Sequence, residues 1–240
     1  MKKKIYAMIP ARIGSQRLKY KNLSLLNKKP LISYVIENSI KSKMFDKIIL
    51  NSDHKIFKKI ADKYNIDFYL RPKKIGSSNT KSDDVVYDFI KKYPEVDFIT
   101  WVNSVSPFQT SSEIKKVVKF FIKNNYDSLI TVEEKSVHGI YKNKPINFKK
   151  NKKFSKTQDL LPLYPFVYSI MMWNKKKFLN SYNKNGYAFF VGKFGTYSVD
   201  KLSSILIKTK KDLLIANQIA KSIQVKKNKI SYHSSIKKIK

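Results

Sequence analysis

Cysteine is missing from all 240 residues, which excludes disulfides, iron–sulfur clusters and thiolate zinc sites. Histidine is nearly as scarce: His54, His138 and His233 stand far apart, too few and too scattered for an imidazole-rich zinc centre. Acidic residues number 17 against 50 basic ones, for a formal net charge of +33. Arginine is the rare cation, with only Arg12, Arg17 and Arg71 in the whole chain. Long apolar runs are absent too. The opening Met1-Lys2-Lys3-Lys4 and Ile5 to Ala11 faintly imitate a signal peptide, but Arg12 cuts the run short and no small-residue cleavage site follows. Phe166 to Trp173 is far shorter than the ~20 residues that span a bilayer. A cytoplasmic chain with no membrane partner is expected.

A surplus of lysine usually points to nucleic acid. Here it divides almost evenly between the two halves of the chain and recurs in pairs and triplets (Lys58-Lys59, Lys91-Lys92, Lys115-Lys116, Lys175 to Lys177). Those runs suit solvated faces and lack the interleaved aromatics of a single-strand groove. The bias reads as compositional drift toward lysine, and no nucleic-acid partner is expected.

What is present is enough for one good core: 42% hydrophobic and 13% aromatic residues. Apolar runs alternate with amphipathic stretches from the start. Strands are expected at Ile5 to Ala11, Ile48 to Leu50, Phe68 to Leu70, Phe98 to Val102 and Ser128 to Val132. Helices are expected after Pro30, from Ile56 to Tyr64, through Val85 to Ile90, and from Ser112 to Lys123. This alternation predicts βαβ units, an α/β fold with a mostly parallel sheet flanked by helices, and right-handed crossovers. Between Glu133 and Leu163 the pattern fades into Lys, Asn and Pro, with a hairpin and a loop expected. A strand from Phe166 to Trp173, a short helix, short strands near Tyr197 and Ile205, and a helix from Lys210 to Ser222 complete the reading. The Lys-rich end after Val225 is expected to fray.

In such sheets ligands sit at the carboxyl ends of the strands. After the first strand comes Pro10-Ala11-Arg12-Ile13-Gly14-Ser15-Gln16-Arg17-Leu18-Lys19-Tyr20-Lys21-Asn22. It is neither GxGxxG nor a Gly-Lys-Ser phosphate loop. It does supply a glycine, backbone amides, the Ser15 hydroxyl and the cations Arg12, Arg17 and Lys21, a combination suited to a triphosphate. Where lysine is the default cation, positions that stayed arginine are those where a planar two-pronged donor is hard to replace. Other strand ends add Asn51-Ser52-Asp53, Arg71-Pro72 and Asn103-Ser104-Val105-Ser106-Pro107. Taken alone, Asp53 reads as a cap for the helix beginning at His54.

The string Ile9-Pro10-Ala11-Arg12-x-Gly14-Ser15-x-Arg17-Leu18-x-x-Lys21-Asn22, with Lys29-Pro30-Leu31-Ile32 after it, resembles the N-terminus of the acylneuraminate cytidylyltransferases, the CMP-sialic acid synthetases. Ser52-Asp53, Leu70-Arg71-Pro72 with Thr80 and Ser82, and Ser106-Pro107 match in order. Weaker matches follow at His138 and Lys142, at Gln158-Asp159-Leu160, and at Thr209-x-x-Asp212-Leu213. The resemblance implies a Rossmann-like nucleotide-diphospho-sugar transferase fold over residues 1–225. It also implies a dimerisation and sugar-site insertion at 133–165, with residues 226–240 left as a Lys-rich tail.

The implied reaction, one belonging to surface polysaccharide biosynthesis, transfers CMP from CTP to a nonulosonic sugar acid and releases pyrophosphate, with Mg²⁺ as cofactor and a homodimer as the assembly. By the same resemblance Arg12 and Lys21 are catalytic, and Ala11, Gly14, Ser15, Arg17, Asn22, Arg71, Thr80 and Ser82 join them in holding the nucleotide. Asn103, Ser106, Lys142 and Gln158 would face the sugar acid. The family's metal-binding Asp-Ile-Asp reads Leu206-Ile207-Lys208 here, its second loop glycine is Ile13, and its Asn-Gly-Ala-Ile-Tyr strand becomes Val167 to Met171. Asp53 and Asp200 are the remaining candidates for a metal. The alternative reading is a non-catalytic nucleotide-binding homologue that lost its metal site.

Overall fold

The computed structural model describes residues 2–224 and Tyr232; the expected frayed tail lies outside that range except for this one residue. Seven strands form the central sheet: β1 (Ile5–Ala11), β4 (Lys47–Ser52), β5 (Asp67–Leu70), β6 (Phe98–Val102), β7 (Ser128–Val132), β10 (Phe166–Asn174) and β11 (Phe194–Ser198). Two small hairpins pair β2 (Leu25–Leu26) with β3 (Lys29–Pro30), and β8 (Ile140–Tyr141) with β9 (Lys144–Pro145). The sheet order is β11-β7-β10-β6-β1-β4-β5. Only β10 runs antiparallel to its neighbours, β6 and β7; the other pairings are parallel.

The strand β1 shows why the sheet is buried on both sides. Ala7, Ile9 and Ala11 join one core cluster with Ile32, Val35, Ile114, Val117 and Phe121, whereas Tyr6 and Met8 join another with Val85, Val86, Phe89 and Phe178. Alternate side chains of one strand thus enter two cores, which a continuous apolar run requires. The first core is covered by α1 (Leu31–Ser42), α2 (Lys58–Lys63) and α4 (Ser111–Lys123), the second by α3 (Ser82–Lys92) and α5 (Lys175–Asn185). In α4 the buried Ile114, Val117, Val118 and Phe121 fall at helical spacing, and the Thr110 hydroxyl accepts the Glu113 N–H at 3.2 Å as its cap. The last helix, α6 (Lys210–Gln224), buries Ala216 and Ala220 against Leu26, Leu31, Val105 and Ile207 in a third, smaller cluster.

Two expectations change. The segment near Ile205 is not a strand: Ile205 N–H closes a turn onto the Leu202 carbonyl, and Ile207 N–H bonds the Val105 carbonyl at 2.9 Å, so its backbone is spent on a turn and a loop. The cap ahead of α2 is His54, whose Nδ1 accepts the Ile56 N–H at 3.1 Å, rather than Asp53. The hairpin expected between Glu133 and Leu163 is β8–β9, its segment anchored where Lys135 and Leu163 pair.

Candidate functional site

Strands β5, β4, β1 and β6 lie side by side and parallel, so their carboxyl ends share one edge. At that edge opens a cavity of about 550 Å³, of the size that takes a small ligand. Arg12, Arg17 and Arg71, every arginine of the chain, line it together with Lys21 and Lys208. Among the described residues that line it there is no carboxylate. Five cations facing one space whose lining holds no carboxylate leave an anionic ligand as the natural occupant.

The loop after β1 is held in place from several sides. Ile13 N–H donates to Asp53 Oδ1 at 3.0 Å, tying the loop to the end of β4. Asn22 is buried; its Nδ2 donates to the Arg12 carbonyl at 3.4 Å and its Oδ1 accepts from Ser104 Oγ at 2.9 Å. The side chain therefore braces the loop against the end of β6 while still lining the cavity. Tyr20, at φ 53, makes the left-handed bend that starts the 3-10 turn Lys21–Leu23.

Burial and the neighbouring charges of Arg17, Arg12 and Lys208 push the Lys21 ammonium down from 10.5 to about 8. The Asp212 carboxylate opposes that shift without cancelling it. Arg71 is also buried, its backbone N–H bonded to the Ser52 carbonyl at 2.8 Å, and desolvation lowers its pKa while Asp53 and Asp88 act to raise it. Its Nε has no hydrogen-bond partner among the described residues, nor does the Trp101 Nε1 on the same cavity wall.

The expected site residues divide clearly. Arg12, Ser15, Arg17, Lys21, Asn22, Arg71, Thr80, Ser82 and Asn103 line the one cavity. Thr80 is positioned by its hydroxyl, which bonds the Lys74 carbonyl at 2.9 Å and Ser77 Oγ at 3.0 Å. Ala11 and Ser106 are buried behind the lining, and Gly14 does not line it and has open space where a Cβ would stand. Lys142 and Gln158 are exposed on the 133–165 segment, away from the lining; the Lys142 ammonium lies over the Tyr141 ring at 5.5 Å. Their segment closes on itself, Lys135 pairing with Leu163, and none of its residues lines this chain's own cavity.

The expected metal pair is not assembled. Asp53 does not line the cavity: its Oδ1 is committed to Ile13 N–H, and a Cβ on Gly76 would stand 2.4 Å from its own Cβ. Asp200 sits elsewhere, its N–H donating to Glu113 Oε1 and its Oδ1 accepting Leu202 N–H at 2.8 Å. Among the described residues no three His, Asp or Glu side chains group as metal ligands. Magnesium needs oxygen ligands, one or two of them carboxylates, beside substrate phosphates. The side chains lining this cavity do not fit a carboxylate-held magnesium ion.

Some lining residues escaped the sequence reading. Trp101, Met171 and Phe189 line the cavity with apolar surface; they look like core in the sequence, whereas the cross-strand pairing of Met171 with Trp101 sets those two on one face and Phe189 packs in the same cluster. Tyr168 lines the same cavity in a left-handed conformation, φ 59, at the irregularity of β10. Asn103 holds that bend by donating from Nδ2 to the Tyr168 carbonyl at 3.0 Å. A tyrosine in this region costs about 1–2 kcal/mol. Its signal was in the sequence, since Tyr168 stands where the resembling strand carries glycine.

A parallel-sheet edge ringed by arginines and lysines defines an α/β protein built to receive a phosphorylated ligand. A family model described as Cytidylyltransferase matches residues 6–239, and the chain belongs to that cytidylyltransferase family, as a divergent member. The N-acylneuraminate cytidylyltransferase of Escherichia coli is 30% identical over 243 residues, covering 95% of this chain and 54% of that protein. A pseudaminic acid cytidylyltransferase of Campylobacter jejuni is 31% identical over 132 residues, 53% of this chain and 57% of the relative. The chain thus spans about half the length of the curated relatives it matches. Among solved structures, CMP:2-keto-3-deoxy-manno-octonic acid synthetase in complex with CTP superposes with a TM-score of 0.71 at 13% identity, covering 92% of this chain and 99% of that one. The 4-diphosphocytidyl-2C-methyl-D-erythritol synthase of Anaerococcus prevotii gives 0.65 at 17% identity, covering 91% and 99%. These two show the fold.

Proposed function

We propose that this chain is a cytidylyltransferase that moves CMP from CTP to a nonulosonic, sialic-acid-like sugar acid. The observation that carries the reading is the convergence of Arg12, Arg17, Arg71, Lys21 and Lys208 on one carboxylate-free cavity. The loop amides, Ser15, Arg12 and Lys21 hold the triphosphate; Arg71, Thr80 and Ser82 line the nucleobase end; Asn103 and the Trp101 end receive the acceptor. The anomeric hydroxyl of the sugar acid attacks the α-phosphorus in line. The bond from that phosphorus to its β-bridging oxygen breaks, pyrophosphate leaves with the electron pair, and the hydroxyl proton passes to solvent. Arg12 and Lys21 stabilise the negative charge that gathers on the phosphates.

The 133–165 segment supports a homodimer as the working unit. It exposes Ile140, Tyr141, Phe154 and Leu161, beside exposed Tyr164, Phe166 and Phe190, an apolar and aromatic surface of the kind found at interface cores. Lys142 and Gln158 ride on it and in a dimer would reach the neighbour's cavity.

Pyrophosphate release from CTP, UTP or ATP with a panel of nonulosonic acids tests the function. Release specific to CTP and to one sugar acid is expected. CTP binding without release for any acceptor would favour the non-catalytic nucleotide-binding homologue, a reading to which the cavity's lack of carboxylates lends weight. No CTP binding at all would end both.

A further inference from the structure

The residues Leu206 and Lys208 enter the cavity from a segment far along the chain from the phosphate loop, and the structure shows what aims them. Ile207 between them is fully buried in the cluster with Leu26, Leu31 and Val105, and its N–H is tied to the Val105 carbonyl at 2.9 Å. Its flanking residues are therefore turned the other way, and both line the cavity. The backbone after them is equally fixed: Asp212 Oδ2 accepts the N–H groups of Lys208 at 2.9 Å and Thr209 at 2.7 Å, and the Thr209 hydroxyl accepts the Asp212 N–H at 3.2 Å. Asp212 is thereby spent on capping α6 and does not line the cavity. This geometry sets a lysine, on a rigid stem, against the loop that carries Arg12, Arg17 and Lys21.

We infer that the Lys208 ammonium is a built-in cation for the departing phosphates, so that this site works on the nucleotide without a carboxylate-held divalent ion. The charge count agrees. Apart from Arg71 at the nucleobase end, four cations line the cavity, Arg12, Arg17, Lys21 and Lys208, and a fully ionised triphosphate carries about four negative charges, so the ligand can be neutralised by side chains alone. An ammonium is a compact point charge with three donors and can contact phosphate oxygens directly. A magnesium ion held here would meet the Lys208 ammonium as a like charge, while the Asp212 carboxylate that acts on Lys208 and Lys21 is engaged by the Lys208 and Thr209 N–H groups. Lys208 is one of the charges that lower the Lys21 pKa, so the two ammonium groups act within one field. In the reaction above, Lys208 stabilises the pyrophosphate oxygens as the α–β bridge breaks.

This inference rests on the proposed cytidylyltransferase reading, and the test separates the two. CTP binding to the full chain is measured by calorimetry in magnesium and in excess chelator, for the unmodified protein, Lys208→Met, Arg12→Ala and the double variant Leu206→Asp/Lys208→Asp. The unmodified protein should bind within about threefold under both conditions. Lys208→Met should lose tenfold or more in chelator while keeping its melting temperature, since the side chain is exposed. The double variant should bind only when magnesium is present. CTP binding by the unmodified protein that disappears in chelator, or an undiminished Lys208→Met in chelator, overturns the role of Lys208 and leaves the cytidylyltransferase reading standing. No CTP binding under either condition, or binding indifferent to Arg12→Ala, overturns that reading and the role of Lys208 with it.

Discussion

Replacing Lys21 by methionine should weaken nucleotide binding and stabilise the empty protein, two effects of opposite sign from one charge. In the free protein the ammonium is half-buried among Arg12, Arg17 and Lys208 and titrates near 8 instead of 10.5. A group held below its unfolded pKa costs stability wherever it is forced to be charged. That cost is complete below pH 8 and is relieved as pH rises from 8 toward 10.5. Allowing for solvent screening, it amounts to roughly 1–2 kcal/mol at neutral pH, about 2–6 °C in melting temperature for a chain of this size. Lys21→Met removes the charge and should therefore melt higher at pH 7, with the difference shrinking by pH 10.

Triphosphate binding reverses the balance. The anion pulls the Lys21 pKa back up, so the complex holds a proton that the free site has begun to release. Affinity is then full below pH 8 and falls by up to tenfold per pH unit above it. Calorimetry at pH 8 in two buffers of different ionisation heat should register uptake of about half a proton. Lys21→Met should lose roughly 1.5–3 kcal/mol of CTP affinity at pH 7, about 10- to 150-fold, together with the proton uptake. Lys21→Arg should keep the affinity and flatten the pH dependence to beyond pH 9. A Lys21→Met protein that melts lower and still binds CTP with the original pH profile would refute this account of the loop.

Asp53→Ala should loosen the phosphate loop by removing the acceptor for Ile13 N–H, weakening CTP binding about three- to tenfold, whereas Asp53→Asn keeps an acceptor oxygen and should bind nearly normally; equal and severe loss in both, seen only in magnesium, would instead mark Asp53 as a metal ligand. Light scattering at micromolar concentration should return about twice the chain mass, and Tyr164→Glu together with Phe166→Glu should shift it to the monomer; a monomer before any substitution would remove the homodimer.

The sequence by itself carried the local half of this protein. A strand buried on both faces must be continuously apolar, so β1, β6 and β7 were legible as runs, and α4 was legible from the spacing of Ile114, Val117, Val118 and Phe121. The loop after β1 was legible as part of the cavity wall because its Arg12, Ser15, Arg17, Lys21 and Asn22 are contiguous with that strand. Arg71 was readable for a different reason: in a lysine-dominated chain a surviving arginine stands out.

Tertiary structure alone decided the rest. Asp53 was a plausible cap or metal ligand until its carboxylate was found bonded to a loop forty residues earlier, because side-chain bonding across strands leaves no trace in local periodicity. Trp101, Met171 and Phe189 carry the pattern of core residues, and only the reversal of β10 between β6 and β7 turns some of that apolar surface onto a cavity wall. The placement of Lys208 follows the same rule. Its direction is set by the burial of Ile207 against residues from three distant segments, and a charge is aimed by the packing of its neighbour, which no stretch of sequence around it can encode.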